Sequence, residues 1–248
     1  MTVAEQITAF VNLELDTVHA AGKAEGIAEG KQAEYDAFWD AYQSNGEKTS
    51  YENAFSGRGW NDITFSPKYD MRPTTMYMMF RSSNVSDLMG ICERNNVSLD
   101  FTKSTNLQYA FNYSTITRLP TIDARNAGSL TYMLAGCNGL VSVEKLILSE
   151  TNKFAATFDS LTSLVSMPIE GTIGQTGFGV NWSTKLNKPS ITSIINALST
   201  TTSGLTVTLS ATAVNNAFET SEGAADGSTS AEWLALVATR SNWTIALA

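Results

Sequence analysis

Three stretches of this chain look alike at a spacing of 23 to 24 residues. They read Leu107-Gln-Tyr-Ala-Phe111, Leu130-Thr-Tyr-Met-Leu134 and Phe154-Ala-Ala-Thr-Phe158. A second apolar cluster follows each one: Leu119-Pro-Thr-Ile122, Val143-Glu-Lys-Leu-Ile147 and Met167-Pro-Ile169. A period this short belongs to stacked repeat architectures. A unit of that size cannot bury its own apolar face, so neighbours stack to make a core. Such arrays present a surface to a partner, which directs attention to binding ahead of catalysis.

Met76-Tyr-Met-Met-Phe80 fits the same five-residue template, 31 residues ahead of Leu107. Asp100 and Asp123 each precede the next leading Leu by seven residues, which supports the register. The spacing predicts a short helix or helical turn around each Leu-x-x-x-Phe element. It predicts a short strand around each second cluster, the strands stacking into a parallel sheet. The expected class is α/β, a repeat body with an N-terminal helical segment before it.

Residues 2–20 carry Val3, Ile7, Phe10, Val11, Leu15 and Val18 at helical spacing, behind a Thr2-x-x-Glu5 capping box. Gly22, Gly26 and Gly30 recur every four residues. They line one face of a helix open to close approach, or they form a tether. Residues 31–43 place Tyr35, Phe38, Trp39 and Tyr42 on one helical stripe. Residues 46–73 read as a loop linker pinned by Trp60, Phe65 and Tyr69.

The repeat body is read as residues 74–189. Gly171 to Gly179 reads as a flexible connection. Residues 190–248 read as a capping unit: helix Ser190 to Leu198, strand Leu205 to Leu209, a polar loop Gly223 to Ser230, helix Ala231 to Thr239 and strand Trp243 to Leu247. Residues 1–45 are left as an anchoring or oligomerisation segment.

Leu130-Thr-Tyr-Met-Leu-Ala-Gly-Cys137 followed by Leu140-x-x-Val143 resembles the BspA-like branch of leucine-rich-repeat proteins. The unit at 107 matches through Phe111 and Leu119-Pro120, with Tyr113-Ser114 in place of Gly-Cys. The unit at 154 matches through Phe158 and Met167-Pro168, with Asp159-Ser160 there. Gly30 to Gln43, Phe55-Ser-Gly-Arg-Gly-Trp60, Pro67-Lys-Tyr-Asp70 and the stretch from Ser193 to Thr244 resemble repeat proteins encoded by phages and prophages of gut Firmicutes. The resemblance implies a leucine-rich-repeat-like solenoid in a virion or tail-associated surface protein. The wider family is associated with adhesion.

The formal net charge is -8. Nucleic-acid binding needs a basic footprint to neutralise phosphates, and no such cluster exists. No run of about 18 apolar residues is present, so no membrane insertion is expected. The N-terminus lacks the basic n-region of a signal peptide, so synthesis in a bacterial cytoplasm is expected; residence in a virion is what the resemblance implies. Cys92 and Cys137 read as buried small hydrophobes. With the single histidine His19, they cannot assemble a four-ligand zinc site. No metal and no cofactor are expected.

One histidine in the N-terminal helix leaves no Ser-His-Asp or Cys-His site. Asp87, Asp100, Asp123 and Asp159 keep paired-carboxylate glycan cleavage in view. The repeat equivalence of Asp100 and Asp123 points instead to turn capping through Asx bonding. No catalytic residue is assigned.

Tyr77, Tyr109 and Tyr132 are read as repeat-equivalent. Facing outward they form a ladder for a glycan or protein partner; facing inward they are core. Ile7, Phe10, Val11, Phe38, Trp39 and Tyr42 are the expected anchoring contacts to other virion or particle proteins. The expected function is a non-enzymatic structural or adhesion protein of a phage or similar particle. Its repeat domain would be displayed to a host surface glycan or protein, in a dimer or trimer. The alternatives are a capsid-bound decoration protein and a glycan depolymerase.

Overall fold

A computed structural model describes residues 52–53, 56–57, 72–94, 96, 98–219 and 227–248. The expected helices over 2–20 and 31–43, the glycine series from Gly22 to Gly30, and Trp60, Phe65 and Tyr69 lie outside the described residues. Among the described residues the chain is α/β, with short parallel strands, four α-helices and no closed barrel.

The second apolar clusters form the strands. They are β1 (Arg118–Leu119), β2 (Ile122–Asp123), β3 (Ser142–Val143), β4 (Leu146–Leu148) and β5 (Ile169–Gly171). Leu119 pairs with Val143, Ile122 with Leu146 and Leu146 with Ile169, all in parallel. The pairing offset equals the sequence period, so each cluster lies beside its own repeat. Pro120 follows β1 and Pro168 precedes β5, and proline has no N–H for the ladder.

The Leu-x-x-x-Phe elements are not helices, contrary to expectation. They are runs of tight turns. The third and seventh residues of each adopt positive φ: Met78 and Ser82, Tyr109 and Tyr113, Tyr132 and Gly136, Ala156 and Ser160. The N–H of Ala110 bonds the Leu107 carbonyl and that of Ser114 bonds the Phe111 carbonyl, closing turns around Tyr109 and Tyr113. Positive φ at the residue before the closing one marks a type II turn.

Alternate N–H groups leave the segment entirely. Tyr109 donates to the Thr131 carbonyl at 3.0 Å, and Tyr132 to the Ala155 carbonyl at 3.0 Å. Tyr113 donates to Ala135 and Gly136 to Asp159, each at 2.9 Å. An α-helix would spend those donors internally. Here they tie each segment to the next, which offsets the roughly 1–2 kcal/mol that left-handed backbone costs a residue with a β-carbon.

The turns still bury the first, fourth, fifth and eighth residues, the set a helix would bury. Leu107, Ala110, Phe111 and Ser114 are inside, as are Leu130, Met133, Leu134 and Cys137. Phe80 and Phe111 stack across two segments, 5.4 Å between centroids and 3° between planes. One continuous apolar core runs from Met76 to Trp243.

The long first spacing has a local cause. The Ser86 carbonyl accepts the Thr117 N–H, just as the Thr117 carbonyl accepts that of Val141. After Ser86 comes helix α1 (Leu88–Arg94) where the next segment has β1. The pattern also starts upstream of Thr74. Asn53 and Gly57 have φ of 55° and 68°. They donate to the carbonyls of Tyr77 and Arg81, as the later segments do.

Helix α2 (Lys188–Ala197) begins at the Asn187 cap, with Pro189 in its first turn. It ends the first series of strands. The Val143 and Leu146 N–H groups donate to the Ser166 and Pro168 carbonyls of the next segment. The matching Met167 and Ile169 N–H groups donate to the hydroxyls of Ser190 and Ser193 on α2, each at 2.9 Å. A helix face thus satisfies donors that would otherwise be left on a bare edge.

Beyond it, β6 (Gly179–Val180), β7 (Leu205–Leu209) and β8 (Trp243–Leu247) form a second parallel sheet. Helices α3 (Ala211–Phe218) and α4 (Ala231–Ala238) start at Ser210 and Ser230 caps. The expected C-terminal helices and strands are present, and Gly227–Thr229, the described start of the polar loop's second half, is a 3-10 turn. The connection from Gly171 to Gly179 is packed, not loose. Gly177 has φ of 89°, and a β-carbon there would collide with the Phe154 carbonyl.

Candidate binding surface

The tyrosines at the third position point out of the core because the fourth and fifth residues point in. Tyr109 and Tyr132 have φ of 55° and 54°. Their rings stack at 5.0 Å with 13° between planes. Tyr77 requires a correction. The left-handed equivalent of Tyr109 in its segment is Met78, so Tyr77 is one residue out of register. Its ring nevertheless meets Tyr109 edge-on, at 6.1 Å and 88°. The row ends at Ala155-Ala156.

Tyr77 and Tyr109 are half-buried, and Tyr132 is 39% exposed. Tyr109 and Tyr132 cover each other's faces, so the row offers ring edges and phenol hydroxyls more than open faces. None of the three hydroxyls bonds to another described residue.

Two further side chains complete the surface, and sequence reasoning missed both. Tyr113, at the seventh position, lies over Gly136, its equivalent in the next segment, and is 66% exposed. Arg81 sets its guanidinium carbon 5.8 Å from the centre of the Tyr109 ring. The Gly-Cys signature now has a geometric meaning. Gly136 takes the left-handed seventh position and Cys137 the buried eighth. Its counterparts are Tyr113-Ser114 and, one residue later than expected, Ser160-Leu161.

The body's carboxylates serve local structure. Asp100 accepts the Thr102 N–H at 2.8 Å and Asp123 the Arg125 N–H at 3.1 Å, the expected Asx bonds. The Arg125 guanidinium beside Asp123 holds that carboxyl below its ordinary range. Asp87 caps α1 through the Gly90 N–H and is held low by Arg94 first, with Arg118 nearby. Asp159 is exposed on a turn. Glu150 accepts hydroxyls from Ser199, Thr201 and Thr202, which lower it, Ser199 most.

Cys92 and Cys137 are free and buried. Burial pushes the Cys92 thiol to about 11 and the Cys137 thiol to about 12. The Cys137 thiol donates to the Phe111 carbonyl at 2.8 Å. Among the described residues no group of three or more His, Cys, Asp or Glu side chains is placed to hold a metal. No described helix is long and apolar enough to cross a membrane. The expected anchoring residues Ile7, Phe10, Val11, Phe38, Trp39 and Tyr42, and His19, lie outside the described residues.

Compared with known proteins, the chain matches no family model, and no curated protein or solved structure is significantly similar to it.

Proposed function

We propose that this chain is a non-enzymatic structural or adhesion protein of a phage or phage-like particle. In this reading the turn-and-strand segments form a leucine-rich-repeat-like solenoid displayed to the host surface. The N-terminal residues 1–45 hold it to other particle proteins and to further copies of itself. The segment-to-segment hydrogen bonds at the sequence period support the solenoid. The resemblance of the flanking stretches to phage-encoded repeat proteins supports the particle.

The observation that carries the binding role is the aromatic surface itself. Tyr77, Tyr109 and Tyr132 come from successive segments and form one row, and Tyr113, from the same segment as Tyr109, adds an exposed ring over Gly136. Aromatic side chains with free hydroxyls suit partners that are partly apolar and partly polar. Several copies on one particle would multiply a weak site into avidity.

Cryo-electron microscopy of purified particles tests the reading, together with binding of the purified full chain to host cells. Density at the tail tip or baseplate and saturable cell binding are expected. Density confined to the capsid, with no cell binding, would leave a decoration protein in its place. Absence from every particle would remove the phage assignment.

A further inference from the structure

The aromatic surface holds a cation that no carboxylate among the described residues neutralises. The other arginines nearby have carboxylate partners: Arg72 with Asp100, Arg94 with Asp87, Arg118 with Glu93 and Arg125 with Asp123. Among the described residues Arg81 has none. Its Nη1 meets the Met78 sulfur, at 3.8 Å, a weak acceptor. Its Nε is buried without a hydrogen-bond partner. A buried donor left unmade is costly, and a charged one more so.

The Tyr109 ring holds the guanidinium in place, since a cation is attracted to the ring face within about 6 Å. What the guanidinium lacks is a pair of anionic oxygens. A carboxylate or phosphate matches its planar fork of donors. The Tyr109 ring it lies on is in contact with the rings of Tyr77 and Tyr132, and the half-buried polar residues Gln108 and Thr131 belong to the same turn segments. Tyr113, over Gly136, adds a broad exposed ring from the segment that carries Tyr109.

We propose that this surface binds an anionic glycan. The acid group of one sugar sits on Arg81, and neighbouring hydroxyls bond along the tyrosine row. The shared chemistry is a carboxylate or phosphate on a chain of sugar rings. An acidic peptide fits less well. Among the described residues, the other exposed large apolar side chains are Val141, Val165, Trp182, Leu234 and Leu247. All lie downstream of Tyr132 in the sequence, and none of them is in the turn segments that carry Arg81 and the tyrosine row. The inference rests on the host-surface reading and names the chemistry of its ligand.

Calorimetric titration of the full chain with tetragalacturonate, a phosphorylated oligomannose and maltotetraose tests it. One or both acidic sugars should bind about tenfold tighter than maltotetraose, the worth of a charge-assisted hydrogen bond. That preference should shrink as salt is raised. Whichever acidic sugar binds identifies the source of the anion. Arg81→Gln should erase the preference, whereas Arg81→Lys should keep part of it as a point charge. Tyr113→Ala should weaken acidic and neutral sugars alike. Thermal melts establish that each variant is folded.

Equal affinity for acidic and neutral sugars overturns the proposal, as does a preference that survives in Arg81→Gln. Binding of poly-glutamate in place of the sugars overturns the glycan. If no sugar binds while the full chain still binds host cells, the anionic-glycan site falls and the host-surface reading stands. If cell binding is also absent, both fall.

Discussion

The ring of Tyr113 occupies the space that a β-carbon of Gly136 would fill. The two residues are equivalents in adjacent segments, both left-handed, with φ of 57° and 77°. One carries the exposed ring, and the other is the bare step it rests on. Gly136→Ala should therefore cost about 1–2 kcal/mol of left-handed strain and also lift the ring. Urea denaturation of Gly136→Ala, Tyr113→Ala and the double variant separates the two effects. The steric part should vanish in the double variant and the strain should remain. Additive losses would show that the ring and the glycine do not interact.

Ala156 stands where Tyr109 and Tyr132 stand, with φ of 48° and no ring to compensate. Ala156→Gly removes about 1–2 kcal/mol of left-handed strain. It adds about 0.5–1 kcal/mol of unfolded-state entropy. A net stabilisation of roughly 0.5–1 kcal/mol is expected by chemical denaturation. A loss of stability would show that the local backbone relaxes without strain.

Ser190 and Ser193 replace a missing strand. Ser190→Ala leaves the Met167 N–H without an acceptor beneath a fully buried side chain. An unsatisfied buried donor costs about 1–3 kcal/mol. Hydrogen exchange of the Met167 amide should accelerate ahead of the Val143 amide, whose carbonyl partner is untouched. Parallel behaviour of the two amides would remove the capping role of α2.

The titrating groups set both ends of the pH profile. The Asp123 carboxyl is held below its ordinary 3.8, so its contribution is full above that value and fades as pH falls through the folded value. Asp123→Asn should flatten the acid limb of a pH-stability curve. The Cys137 thiol moves the other way, from 9.0 to about 12. Its contribution is full below pH 9.0 and is lost as pH rises toward about 12. Cys137→Ala should flatten the alkaline limb, and in the native protein Cys137 should resist Ellman's reagent until urea unfolds the chain. Rapid labelling of the folded protein would contradict that burial.

The strand positions were legible because a strand in this body is a local hydrophobic cluster repeated at a fixed interval. Leu119, Val143 and Met167 declare it in order. Helices α2 and α4 were legible for a similar reason, since caps and apolar spacing are local, whereas α3 was not expected from the sequence. The turn segments were not. Leu107, Ala110, Phe111 and Ser114 have the spacing of a helical stripe, and a run of type II turns buries the same residues. The segment at Asn53 and Gly57 was hidden by its polar residues. Its signal was the pair Tyr51 and Phe55 around an Asn and a Gly four residues apart, both tolerant of positive φ.

The sequence by itself determined the period, the inward residues and the parallel order of the clusters, because each is a property of spacing along one chain. The tertiary structure decided whether a donor such as the Tyr109 N–H stays within its segment or reaches the Thr131 carbonyl. That choice separates a turn from a helix, and it puts Tyr77 one residue out of register with the tyrosines it joins. It also decided that Arg81 lies on Tyr109 with no ion-paired carboxylate among the described residues. Charge pairing depends on distance in space, and 28 residues of sequence separate Arg81 from its neighbouring ring.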